Sequence, residues 1–327
     1  MKAVRIEEFG GPEVLQTADI PVPVPGEDEV LIELRASVVN RADVLTRGGG
    51  YHAAGQPPIV PGFEGSGIVR EIGSAVTSVS IGDRVLAFGG RPGFYAEYVA
   101  VPQGRVVRAP EDLDWDSAAA LPVAPLSAWY CLRRLAQLRS CEKVLIWAAG
   151  SGVGDAAVQI SKHLGASVIA IAVSNEKVAW ALENGADEGI NHAREDVLGR
   201  TREITGGEGV EVVLDTVGGR VFGESLKLTG HGGRVVALAN VALEESTIDT
   251  RDFYLKNVTI CGFKIINLMQ HLGYEPRGDL EELADLVARG KLKVNVDKVF
   301  PLEGVGDAHR YLERRQNRGK VMIYPQD

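Results

Sequence analysis

The sequence reads as an α/β protein, a doubly wound parallel sheet joined to a β-rich unit. Two stretches carry that reading. Residues 143–177, KVLIWAAGSGVGDAAVQISKHLGASVIAIAVSNEK, run as strand, glycine turn, helix, strand and the start of a second helix. Residues 1 to about 120 instead alternate short apolar–polar strands with turns marked by glycine and proline.

Val144, Leu145 and Ile146 form an apolar run suited to a strand buried on both faces. Gly150, Gly152 and Gly154 crowd the turn behind it, and Ala156, Ala157, Ile160 and Leu164 recur at helical spacing. Gly165 closes that helix, and Val168, Ile169 and Ile171 supply the next strand. Turn amides and the helix N-terminus then point at one spot, which suits a pyrophosphate. The glycine pattern is not strict. Counting G-x-G-x-x-G from Gly150 puts Asp155 at the third glycine, so Gly154 takes the close-packing role. Asp155 suits the helix dipole but not a phosphate, and its carboxylate is expected to turn away.

In the amino-terminal part, residues 1–6 and 29–36 alternate as half-buried strands, with Pro21, Pro23 and Pro25 holding an extended connection between them, and 68–72 supplies a further strand. IGDRVLAF and FYAEYVAV supply two more, with Pro92 in the turn between them. The pattern suggests a small barrel-like domain. From Trp115 the chain turns alanine-rich and helical, broken at Pro122 and Pro125. After residue 177 the α/β rhythm continues through strands at 210–214, 233–238 and 257–262. A helix, a β-like VFP segment, a helix near 306–314 and a strand at 320–324 end the chain.

Composition bounds the function. A chain of 327 residues, 45% hydrophobic and 24% charged, is expected to be a soluble two-domain protein. The net charge of -9 argues against nucleic-acid and anionic-membrane partners, though not against a small anion in a basic pocket. MKAVRIEEFG has no apolar signal core, and no apolar run reaches the roughly 20 residues of a membrane span. Cys131, Cys141 and Cys261 are scattered and odd in number, so they read as thiols of a reducing, cytoplasmic compartment.

The order of motifs resembles the medium-chain dehydrogenase/reductase superfamily, in its zinc-independent quinone oxidoreductase (zeta-crystallin-like) branch. The likeness spans essentially the whole chain: GGPEVL, VVNRADV, PGFEGSGIV, GDRV, YAEYV, AAGSGVG and the GGRVV strand. It implies a discontinuous GroES-like catalytic domain, residues 1–122 and 264–327, around a contiguous Rossmann domain, residues 123–263, with nicotinamide in the cleft. Zinc-dependent relatives hold their metal with a Cys and a His–Glu pair. Here Asn40 stands at the Cys position and Phe63 precedes Glu64 at the His position, and the four-cysteine structural lobe is missing. The expectation is a site without metal. Its substrate must then accept hydride unaided, as quinones and conjugated enones do.

By the resemblance, Asn40 lies beside the nicotinamide and donates a hydrogen bond to the acceptor carbonyl; alternatively it only satisfies a turn. Tyr51, after Gly48-Gly49-Gly50, could stack on a flat substrate or give up its phenol proton, reluctantly at an ordinary pKa of about 10. It is otherwise a surface aromatic. Ser127, at a helix start, matches a hydroxyl near the nicotinamide amide or is a helix cap. His52 reads as an exposed loop histidine. Gly150, Ser151, Gly152, Val153 and Gly154 form the phosphate turn.

At the end of the second strand, Val173-Ser174-Asn175 lacks the acid that grips ribose hydroxyls in NAD enzymes, and Lys177 follows. By resemblance His192 replaces a tyrosine near the adenosine, Arg315 matches an arginine at the 2′-phosphate, and Asn240 belongs with the cofactor residues. The cofactor expected is NADPH. LKNVTICGFKI, residues 255–265, is a long apolar strand that must be covered or paired if it lies at the sheet edge, and the resemblance implies that it pairs with its copy in a homodimer. Two other functions fit the same scaffold: an NADPH-dependent enoyl or alkenal reductase, which needs a competent acid near Tyr51, and a non-enzymatic cofactor-binding or RNA-contacting protein.

Overall fold

The computed structural model describes residues 1–51 and 55–326. By internal contacts the chain forms two compact units, Met1–Leu126 with Glu275–Asp327, and Ser127–Tyr274. The second division thus falls after Tyr274 and not at the expected 263/264. Within the second unit Tyr274 packs against Tyr130, at 4.5 Å between centroids.

The amino-terminal part carries β1 (Lys2–Arg5), β2 (Gln16–Asp19), β3 (Glu29–Val39), α1 (Arg41–Arg47), β4 (Glu64–Ile72), β5 (Arg84–Phe88), β6 (Tyr98–Pro102), β7 (Val106–Arg108), α2 (Trp115–Ala120) and α3 (Ala124–Trp129). The middle carries β8 (Lys143–Ile146), α4 (Gly152–His163), β9 (Ser167–Ala172), α5 (Asn175–Glu183), β10 (Glu188–Asn191), α6 (Val197–Thr205), β11 (Val210–Asp215), α7 (Arg220–Leu228), β12 (Thr229–Ala237), α8 (Arg251–Tyr254), β13 (Thr259–Gly262) and α9 (Ile265–Leu272). The carboxyl-terminal part adds α10 (Arg277–Ala288), β14 (Val296–Pro301), α11 (Val305–Glu313) and β15 (Lys320–Tyr324).

In the first unit the strand order is β14-β15-β3-β4-β5-β7, with β6 also paired to β3. Pairing is antiparallel except between β14 and β15. β3 is the long central strand, and Val30, Ile32 and Leu34 on it are fully buried with Val69, Val85 and Phe94. A second cluster joins the chain ends, packing Val4, Val39 and Tyr95 against Val305, Ala308 and Ile323.

In the second unit six parallel strands run β10-β9-β8-β11-β12-β13. In chain order this is 3-2-1-4-5-6, the order of a Rossmann sheet. Val144, Leu145 and Ile146 are fully buried, each side chain contributing about 1.5–3 kcal/mol by leaving water. Parallel strands place all their carboxyl ends at one edge of the sheet. The expected long apolar strand over 255–265 is shorter: Leu255 ends α8, Asn257 takes a left-handed φ of 54°, and pairing covers only β13. Among the described residues no helix is long and apolar enough to cross a membrane.

Candidate active site

At the carboxyl edge of the parallel sheet, the turn after β8 leads straight into α4. Ser151 caps that helix, its Oγ accepting from Gly154 N at 3.1 Å. A Cβ on Gly154 would press on the Ala148 carbonyl and lie 2.6 Å from the Ala149 Cα, so this position does hold helix and turn in close contact. One turn over, Ser174 caps α5, accepting from Lys177 N at 3.3 Å. A Cβ on Gly150 would lie 2.9 Å from Lys177 Cδ, so the lysine stem covers the glycine turn.

His192, just past β10, is exposed and edge-on to Trp147 with centroids 6.1 Å apart. Asn240 follows β12, donates to the Glu244 carbonyl at 2.9 Å, and has its Cα 2.7 Å from where a Cβ on Gly218 would lie. Gly152 and Val153 open α4. The sheet therefore gathers Gly150–Gly154, Ser174, Lys177, His192 and Asn240 at strand ends on one edge, where open α/β sheets take ligands. A backbone cradle of this kind fits a dinucleotide pyrophosphate. Asp155 is buried, and Gln159 donates to it at 3.3 Å. Ser127 is corrected: it neither starts nor caps a helix, but lies buried inside α3.

The first unit holds a cluster of a different kind. Asn40 sits between the end of β3 and the start of α1. Its Nδ2 donates to Glu64 Oε1 at 2.9 Å, and its Oδ1 accepts from Lys320 Nζ at 2.8 Å. Lys320 also pairs with Glu64 Oε1 at 2.9 Å, and Glu64 Oε2 accepts from Val123 N at 2.7 Å. Glu64 is wholly buried and Lys320 nearly so.

Asp43, in the first turn of α1, accepts from the backbone N–H of Asn40 at 2.7 Å and of Gly62 at 3.0 Å. Burial pushes its carboxyl up to about 7. Its third partner, the Tyr95 hydroxyl, lies 3.1 Å from His309 Nε2, and Arg47 lies 3.4 Å from His309 Nδ1. Arginine can only donate, so Nδ1 accepts, Nε2–H donates to the tyrosine oxygen, and the hydroxyl donates to Asp43. His309 is neutral in this chain, lowered to about 3 by burial and then by the Arg47 charge. Arg47 in turn donates to Glu313 at 2.6 Å.

Tyr51 packs edge-on to Phe63 at 5.5 Å. Burial, then the negative charge of Asp43, raises its pKa above the ordinary tyrosine value. Arg315 is exposed with φ 55°, close enough to Arg41 that its charge, after burial, lowers the Arg41 pKa. His52 lies outside the described residues. Among those described, no group of three or more His, Cys, Asp and Glu could hold a metal ion. The acid beside Asn40 is already paired with the Lys320 ammonium, which would repel a cation. This donor set does not fit zinc.

The sequence reading missed Asp43, Lys320 and His309. Asn40-x-x-Asp43 is a capping-box spacing and was open to notice. Lys320, at the head of the apolar strand KVMIY, and His309, one histidine on an amphipathic helix, carried no such signal.

Residues 26–111 match the alcohol dehydrogenase GroES-like domain and residues 152–289 the zinc-binding dehydrogenase family. The chain is 31% identical over 310 residues to human quinone oxidoreductase, covering 94% of this chain and 93% of the relative. It is 32% identical over 333 residues to a Burkholderia 2-haloacrylate reductase, covering 99% of each. Among solved structures, Escherichia coli quinone oxidoreductase complexed with NADPH superposes with TM-score 0.93 at 30% identity, covering 99% of this chain and 100% of that one. An NAD-dependent alcohol dehydrogenase superposes with TM-score 0.90 at 34% identity, over 99% and 100%. This chain belongs to the medium-chain dehydrogenase/reductase superfamily, on its quinone oxidoreductase branch. It is an oxidoreductase, which sets aside the non-enzymatic alternative.

Proposed function

We propose that the protein reduces a quinone, or an acceptor of similar electrophilicity, with NADPH and without metal. The Asn40 amide carries the reading. Lys320 takes its oxygen and Glu64 one of its two N–H groups, which leaves the other N–H for an acceptor carbonyl. A preorganised donor of this kind supplies roughly 3–4 kcal/mol, enough for an electron-poor acceptor and too little for a simple ketone. When bound, NADPH supplies the hydride.

Gly150, Ser151, Gly152, Val153 and Gly154 would hold the pyrophosphate, with Ser127 at the nicotinamide amide and His192 and Asn240 along the adenosine side. No acid stands at Val173-Ser174-Asn175, while Lys177 and Arg315 offer cations to a 2′-phosphate. The NADPH named with the Escherichia coli structure supports that choice, and the NAD-dependent structural relative makes it worth testing.

Tyr51, with its pKa raised, is a weak proton donor. A hydroquinone anion is stabilised by its own ring and takes its proton from water, whereas an enone must be protonated at carbon on one face. The 2-haloacrylate reductase relative supports the second reading, reduction of an activated double bond. Turnover with 1,4-quinones, 2-alkenals and enoyl thioesters, with and without chelator, separates the two. Quinone reduction should be fastest and survive chelation; enoyl thioesters turning over much faster than any quinone would replace this reading with the second.

We propose further that the protein is a homodimer paired along β13. This strand ends the sheet and leaves Ile260 40% exposed beside Leu255 at 58%. Sedimentation at micromolar concentration should give a dimer, and Ile260→Lys a monomer.

A further inference from the structure

We propose that the buried Lys320–Glu64 pair is a positioning device for the Asn40 amide, fixing which end faces the acceptor and strengthening its free N–H as a donor. This rests on the role given to Asn40 above. The two ends of an asparagine amide are nearly equal in size, so packing alone does not choose between them. Here chemistry chooses. An ammonium can only donate, so Oδ1 must face Lys320; a carboxylate can only accept, so Nδ2 must face Glu64. Turning the amide over would set donor against donor and acceptor against acceptor in a site shielded from water.

The three side chains close a triangle, with Asn40–Lys320 at 2.8 Å and the other two sides at 2.9 Å. Each corner is held from outside. The register pairs Val321 with Val39, which brings Lys320 opposite Asn40 across neighbouring strands. Glu64 is anchored through its second oxygen by Val123 N. Asn40 is anchored by its own backbone N–H on Asp43. Donation into Oδ1 also draws electron density from the amide nitrogen, so the remaining N–H binds an acceptor carbonyl more strongly. Lys320 and Glu64 need touch neither substrate nor cofactor to do this.

The test is a kinetic cycle on Asn40→Ala, the double variant Glu64→Gln/Lys320→Met, and all three changes together. Replacing both charges avoids stranding either one in the interior. The double variant should lose about tenfold or more in kcat on a 1,4-quinone while the KM for NADPH stays within about twofold. The triple variant should be no slower than Asn40→Ala, because the pair acts only through that amide. The double variant Glu64→Gln/Lys320→Gln should show the same kcat loss, since both glutamines can offer either end to Asn40, and it serves in place of the first double variant if that one folds poorly.

A double variant with wild-type kcat, or a triple variant slowed by the full product of the separate losses, overturns the positioning role and leaves the quinone reading intact. If Asn40→Ala is harmless on the quinone but slows a 2-alkenal, the quinone reading fails and the same cycle on the alkenal decides the positioning role. If it is harmless on both, the role of Asn40 falls and this inference with it.

Discussion

The two units build their polar sites by opposite means. In the parallel-sheet unit, Ser151 and Ser174 each accept from a backbone N–H three residues on, and the glycine turn offers backbone. In the other unit the partners are ionisable side chains brought from far apart: Asn40 meets Lys320 across 280 positions and Tyr95 meets His309 across 214. A local site is assembled when its strand and helix form, and it tolerates the loss of one contact. A distant, buried one exists only when the whole unit is folded, so stability and chemistry depend on the same groups.

The largest expected effect tests that difference directly. Lys320→Met alone leaves the Glu64 carboxylate buried and unpaired, and should cost about 3–5 kcal/mol in urea unfolding. Adding Glu64→Gln should recover most of it. Equal stability of the single and double variants would mean that water reaches the pair and that the two units differ less in how they hold their polar groups.

Next comes the proposed contact of Lys177 and Arg315 with a 2′-phosphate. Charge-assisted bonds of roughly 1.5–3 kcal/mol each predict that Lys177→Ala and Arg315→Ala separately raise the KM for NADPH by tenfold or more. KM for NADH should barely move. An effect confined to Lys177→Ala would assign the phosphate to the local site alone, and equal kcat/KM for the two cofactors in the unaltered protein would remove the cofactor assignment.

Asp43 predicts a slope more than a loss. Its carboxyl, raised to about 7, contributes stability that is complete below the unfolded value of about 3.9 and fades as pH rises through about 7. His309, lowered to about 3, works the other way: its contribution is present above the unfolded value of about 6.5 and is lost as pH falls. The difference in Tm between the unaltered protein and Asp43→Asn isolates the aspartate. That difference should shift against the unaltered protein between about pH 5 and about pH 8. The opposite trend would mean that the chain from Arg47 through His309 and Tyr95 holds the carboxylate ionised despite burial.

The smallest effect belongs to the local site. Ser151→Ala removes one helix cap and should cost about 1 kcal/mol, with the KM for NADPH rising only a few-fold. A loss as large as that of Lys320→Met would erase the contrast between the two units.

What the sequence determined by itself follows from range. A buried apolar run, a glycine turn and a capped helix are set by neighbours within a dozen or so residues, so β8, the Gly150–Gly154 turn and α4 were legible, as were β15 and the change of character near Trp115. Motif spacing read through the family resemblance placed Asn40 at the position of a metal-binding Cys, and Phe63, before Glu64, at that of a His. Tertiary structure decided the rest. It put Ser127 inside a helix, cut the 255–265 strand down to Thr259–Gly262, and moved the second division between units to Tyr274. Above all it chose the partners of the buried charges. Nothing near residue 320 or residue 309 in the chain specifies a carboxylate or a phenol. Those contacts come from strand register and from the cost of leaving an ionisable group without a partner once water is excluded.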